Sequence, residues 1–181
     1  NDQLLLVFGG SQRVRRFETA LDGALATLLT EWSVLHVVMD GLPEAERRRA
    51  SLPAELRERY APVAFLGGGA MEAALVSADL MLGRAGASTI AEAAAAGLPA
   101  IIVPYPFAGG HQRANAEAAA AAGAATLISD EELTSERLLA AVATYATPAQ
   151  RATAARAATT LAHPDAAAVI AKKLLQLGGR G

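Results

Sequence analysis

The chain holds 181 residues, with 16 Lys and Arg against 18 Asp and Glu and a formal net charge of −2. That balance leaves no basic surplus to neutralise a phosphate backbone, which excludes nucleic acid as the expected partner. The absence of cysteine removes disulfides, thiolate metal sites and Cys nucleophiles, and no apolar run reaches the roughly 18 residues that span a bilayer.

Short apolar runs alternate with helical stretches along the chain, the pattern of a parallel sheet with crossover helices. Alanine supplies 45 residues, so the larger Leu, Val and Ile stand out as discrete runs. The first, Leu4–Phe8, stops at Gly9-Gly10 and precedes a helix whose inner face carries Phe17, Leu21, Ala24, Leu25 and Leu28. The second, Val34–Met39, closes on Asp40-Gly41, and the charged stretch Glu44–Arg59 with Pro53 inside it reads as one or two short surface helices. The third, Val63–Leu66, ends in Gly67-Gly68-Gly69, and a brief helix Met71–Val76 leads to the fourth, Leu80–Leu82. A helix Ser88–Ala96, terminated by Gly97 and Pro99, separates it from the fifth, Ala100–Val103. A helix Gln112–Ala122 capped by Gly123 precedes the sixth, Ala125–Ile128, and helices starting near Pro148 and Pro164 fill the rest.

Six such strands predict an α/β fold, a doubly wound Rossmann-like parallel six-stranded sheet. Ligands of such sheets sit at the carboxyl ends of the strands, so residues 9–13, 67–70, 83–88 and 104–112 are the loops of interest. The start Asn1-Asp2-Gln3-Leu4 lacks Met and enters the first run almost at once, and reads as a cut from a longer protein.

Gly9-Gly10-Ser11-Gln12 opens toward a helix, where free amides and a partial positive charge favour phosphate. An ordinary turn capped by Ser11 explains it equally well. A dinucleotide fingerprint is missing, because Arg13-Val14 fill the place of its last glycine, and Asp40 reads as a turn residue. Arg13, Arg15 and Arg16 in the first helical turns are either a solvated basic face or the neighbours of an anion. In Arg84-Ala85-Gly86-Ala87-Ser88-Thr89-Ile90-Ala91-Glu92, small residues, hydroxyls and free N–H groups meet at a helix start. Glu92, one turn beyond Ser88, either accepts two hydrogen bonds from a cis-diol or closes a capping box with Ser88. His111, Gln112 and Asn115 share a helix face, and amide side chains suit sugar hydroxyls because each both donates and accepts. His36 reads as a satisfied core histidine and His163 as a turn residue. No His/Asp/Glu cluster has metal spacing, so neither a metal nor a cofactor is expected.

These loops, with Gly97-Leu98-Pro99-Ala100 and His111-Gln112-Arg113-Ala114-Asn115-Ala116, resemble the MurG family of bacterial glycosyltransferases in order and spacing, from residue 4 to about 177. The resemblance is to the C-terminal half of a two-domain GT-B enzyme, with residues 1–181 as one UDP-sugar donor-binding domain. It implies inverting, metal-independent transfer of N-acetylglucosamine from UDP-N-acetylglucosamine to undecaprenyl-pyrophosphoryl-N-acetylmuramoyl-pentapeptide during peptidoglycan synthesis. The family acts in the cytoplasm, peripheral on the inner membrane. The same resemblance implies Ser11 near the phosphates, Leu66 backbone reading uracil, and Met71 packing on the nucleoside. It implies Ala87, Ser88 and Thr89 on the pyrophosphate, Glu92 on the ribose, and Gln112, Asn115 and His111 at the sugar. No catalytic residue is expected here, because the general base and the lipid-linked acceptor belong to the family's N-terminal domain.

Three departures from the family stand out: Arg13-Val14 in place of Gly-Ala, the long Gly67-Gly68-Gly69, and Gly109-Gly110 before His111. Alternatives are a separately encoded donor subunit that needs a partner chain, and a non-catalytic nucleotide-binding α/β module.

Overall fold

The computed structural model describes residues 3–107 and 110–178. Six parallel strands form one sheet in the order β3-β2-β1-β4-β5-β6: β1 (Gln3–Phe8), β2 (Trp32–Val37), β3 (Tyr60–Val63), β4 (Leu80–Gly83), β5 (Ala100–Ile102) and β6 (Ala125–Leu127). The order reverses between β1 and β4, where Leu5 pairs with Leu80 and Phe8 with Gly83. All carboxyl ends lie along one edge, so the loops after β1 and β4 flank the switch point at which such sheets take ligands.

Alternation along β1 divides the core. Leu5 and Val7 join Phe17, Leu21 and Leu25 of α1 (Arg15–Leu28) and Leu138 and Val142 of α6 (Ser135–Ala143) on one face. Leu6 and Phe8 meet Ala74 and Leu75 of α3 (Gly69–Ser77), Ala93 of α4 (Ala87–Ala96), and Ala116 and Ala119 of α5 (His111–Ala121) on the other. Side chains of successive strand residues point to opposite faces, which is why a continuous apolar run serves both layers. The buried alanines let α4 pack between α3 and α5. Gly97 then ends α4, where Leu98 N–H reaches back to the Ala93 carbonyl at 2.9 Å. The charged segment forms α2 (Leu42–Ser51) and a 3-10 turn (Ala54–Arg59). A capping box of Thr147 and Gln150 opens α7 (Pro148–Thr159), and α8 (Ala166–Gly178) begins two residues after Pro164.

The second strand is Trp32–Val37 rather than Val34–Met39, because the chain turns at Met39 (φ +53°) into a short 3-10 turn, and two further boundaries differ from expectation. The third strand is Tyr60–Val63 rather than Val63–Leu66, and Phe65 is 68% exposed in the loop that follows. Tyr60 is fully buried and pairs with Val34, and its hydroxyl lies 3.0 Å from His36 Nδ1. Pro62 survives within the strand because β3 is an edge, where a missing N–H breaks no ladder. The first helix begins at Arg15, with Val14 as an N-cap that has no side-chain cap bond. Ser11 therefore does not cap it, and Arg13 precedes it. Gly109 of the expected Gly109-Gly110 joint lies outside the described residues, as do Asn1, Asp2 and Ala108.

Candidate functional site

The loop after β1 is shaped by its own glycines. Gly10 adopts φ +79°, and a Cβ on Gly9 would lie 2.3 Å from Val14 Cγ2 and 2.5 Å from the Gln12 carbonyl oxygen. The chain therefore doubles back before α1, which moves Ser11 out to an exposed position at the mouth of a cleft of about 290 Å³. Gly9, residues 11–14, Arg84, Tyr105 and Gln112 line that cleft. Its cations are largely neutralised. Arg13 makes a bidentate pair with Glu18, Nε–Oε1 2.6 Å and Nη2–Oε2 2.8 Å, which raises its pKa further above the usual arginine value. Arg16 Nε stands 3.6 Å from Asp130 Oδ2. Two of the three arginines expected near the helix start, Arg13 and Arg16, thus face carboxylates of this chain.

The loop after β4 leads into α4, and here the backbone is open. Gly86 is the N-cap with no side-chain bond, and the first helical amide bond runs from Ile90 N–H to the Gly86 carbonyl at 3.0 Å. The N–H groups of Ala87, Ser88 and Thr89 have no intrahelical acceptor, and they carry the positive end of the helix dipole. Gly86 has φ −63° and ψ 146°, and a Cβ there would meet only Thr89 Oγ1 at 3.5 Å. Neither backbone nor packing demands glycine at that point, so it leaves room beside the amides. Ser88 lies inside the helix rather than at its cap, which removes the capping-box explanation of Glu92. Ser88 and Glu92 are exposed, Thr89 is buried, and none of the three has a side-chain partner among the described residues.

On α5, the amides at 112 and 115 have fixed polarity. Gln112 Oε1 accepts the Tyr105 N–H at 2.9 Å, and Asn115 Nδ2 donates to the Ala85 carbonyl at 3.2 Å. Since the backbone partner can play one role only, Gln112 keeps its NH₂ free as donor and Asn115 keeps its Oδ1 free as acceptor. His111 is exposed at the first residue of α5. Leu66 and Met71 are half-buried against the cluster that holds Phe8, Val37 and Met81. Ser11 and Gln112 therefore share the cleft, Asn115 touches the loop before α4, and Ala87–Glu92 form an open ledge outside the cleft lining.

Three residues of this region were not singled out from sequence. Arg84 Nη1 lies 2.6 Å from Asp130 Oδ1, donates to the Val103 and Pro104 carbonyls at 3.1 and 3.3 Å, and its guanidinium stands over the rings of Phe17 and Tyr105 at 5.2 and 5.5 Å. The available signal was an arginine directly after a strand at the switch point. Nothing in sequence spacing links Asp130 or Tyr105 to it. Away from the loops, His36 and Tyr60 form a buried pair. Burial, followed by the charges of Arg48 and Arg13, pushes the His36 imidazole down to about 3. That matches its reading as a satisfied core histidine.

Among the described residues no helix is long and apolar enough to cross a membrane. The model of the glycosyltransferase family 28 C-terminal domain matches residues 4–170. A Corynebacterium efficiens protein named UDP-N-acetylglucosamine–N-acetylmuramyl-(pentapeptide) pyrophosphoryl-undecaprenol N-acetylglucosamine transferase is 43% identical over 169 residues, covering 92% of this chain and 44% of its own length. A Mycobacterium avium protein of the same name is 38% identical over 178 residues, covering 97% of this chain and 42% of its own. The crystal structure of Acinetobacter baumannii MurG superposes with a TM-score of 0.85 at 28% identity, over 97% of this chain and 50% of that one. The chain thus spans about half the length of the relatives it matches. The sheet order, the helix arrangement and these likenesses agree: the chain belongs to the glycosyltransferase family 28 C-terminal domain.

Proposed function

We propose that residues 1–181 form the donor-binding domain of a glycosyltransferase of peptidoglycan synthesis and hold UDP-N-acetylglucosamine at the carboxyl edge of the sheet. The observation that carries this reading is the open N-terminus of α4, where three amides without helical acceptors meet the spare volume at Gly86. The diphosphate takes the N–H groups of Ala87, Ser88 and Thr89, helped by the Thr89 hydroxyl, with Ser11 on its far side. Glu92 clasps the ribose diol. The uracil lies by the Leu66 backbone with Met71 against the nucleoside, and the sugar faces Gln112, Asn115 and His111.

The chemistry follows from that placement. Transfer breaks the bond between the anomeric carbon and the β-phosphate oxygen that links it to UDP, so negative charge grows on the leaving UDP. Amides already aimed at that position stabilise the charge without reorganising, which is the largest lever a site of this kind has. The acceptor hydroxyl and the base that deprotonates it come from the other half of the enzyme, on the lipid-linked intermediate at the membrane face. Calorimetric titration of this chain with UDP, UDP-N-acetylglucosamine and NAD tests the reading. Saturable heats with the two uridine compounds and none with NAD support it, and a preference for NAD overturns it.

A further inference from the structure

Arg84 occupies a position that the donor-binding reading does not use. Its guanidinium bridges the loop after β4, the segment 103–105 after β5, and Asp130 beyond β6, with Phe17 of α1 beneath it. Asp130 is in turn within 3.6 Å of Arg16 Nε. The segment that Arg84 grips ends in Tyr105, whose ring stands under the guanidinium and whose N–H occupies Gln112 Oε1. One chain of contacts therefore runs Asp130–Arg84–Tyr105–Gln112, and its last member is the amide that shares the cleft with Ser11.

We infer that Arg84, clamped by Asp130, is a positioning residue that sets the polarity and location of the Gln112 amide and so governs how the domain tells a nucleotide sugar from the bare nucleotide. This role rests on the donor-binding reading above, and its physics is local. With Tyr105 N–H fixed, Gln112 must present its NH₂ to the cleft, where it meets acceptors such as a sugar hydroxyl oxygen or an acetamido carbonyl. If segment 103–105 drifts, Gln112 Oε1 loses its partner and the amide is free to turn, so the donor at that point is no longer held. An arginine suits the post because one planar guanidinium donates to two carbonyls, stands as an ion pair beside the Asp130 carboxylate, and faces two rings. Lysine offers a single point charge and no flat face. The diphosphate amides of Ala87–Thr89 follow Arg84 by three residues, but they are set by the first turn of α4, where the Gly86 carbonyl accepts from Ile90 N–H at 3.0 Å, and not by the Tyr105–Gln112 bond.

The test is the ratio of two affinities. UDP and UDP-N-acetylglucosamine are titrated against the wild-type chain, Asp130→Asn, and Arg84→Lys, with melting temperatures measured alongside. Asp130→Asn keeps the shape and removes the charge that holds Arg84. It is expected to weaken UDP-N-acetylglucosamine at least fivefold more than UDP, and Arg84→Lys is expected to do the same or more. Parallel weakening of both ligands, or no change in their ratio, overturns the inference and leaves a purely structural clamp. A wild-type chain that binds both ligands equally also overturns it, since there is then no sugar contact to position. Failure of the wild type to bind UDP at all refutes the donor-binding reading itself, and the inference falls with it.

Discussion

Replacing Glu92 by alanine separates a ligand contact from a structural one, because the two roles predict opposite pairs of numbers. The residue is exposed in the second turn of α4 and has no side-chain partner among the described residues. Substitution at such a site changes stability by no more than about 0.5 kcal/mol. For a chain of this size that is roughly 1–2 °C in Tm. A carboxylate that accepts from a ribose diol is worth more. Hydrogen bonds to a charged group contribute about 1.5–3 kcal/mol each, and solvent at the open ledge reduces the pair to a total near the value of one. Glu92→Ala should therefore weaken UDP by roughly 10- to 150-fold. Calorimetry with UDP, run beside thermal denaturation of the same samples, reads both quantities. Unaltered UDP affinity, or a Tm loss above about 4 °C that tracks the loss of binding, would refute the ribose assignment.

Two further outcomes follow from the geometry. The His36 pKa, held near 3 by burial against Arg48 and Arg13, lies below its unfolded value, so the stability it contributes is complete above pH 6.5 and is lost as pH falls toward 3. The loss reaches roughly 2 kcal/mol between pH 7 and 5, and His36→Gln should flatten the Tm–pH curve there; an identical slope in the variant would contradict the assignment. Gly9→Ala drives a Cβ to 2.5 Å from the Gln12 carbonyl oxygen, which cannot rotate away, so it should cost about 1–3 kcal/mol, and an unchanged unfolding midpoint would show that the loop is not built as described.

Much of the fold was legible because a parallel sheet buried on both faces writes itself as apolar runs. Leu4–Phe8, Leu80–Leu82 and the fifth run Ala100–Val103 fall on or within one residue of strands, and the inner face of α1 carries the five residues its spacing named. The third strand was misplaced because hydropathy ranks Phe65-Leu66 above Tyr60-Ala61-Pro62, whereas the buried Tyr60–His36 pair decides which residues enter the sheet. Ser11 looked like a cap for a similar reason: residue type at a strand exit does not say how many residues the chain spends turning before the helix begins. At the site, the α4 start was visible as small and hydroxyl residues beside a glycine. The clamp was not. Asp130 and Arg84 meet only because β6 and β4 lie on the same side of the switch point, a fact of strand order rather than of local sequence.

On the proposed donor-binding reading, the amides opening α4 grip a diphosphate. Titrating UDP into ¹⁵N-labelled chain and following backbone amide resonances tests it directly. Saturable shifts largest at Ala87, Ser88 and Thr89 are the predicted result. Those three resonances standing still while others move would contradict it.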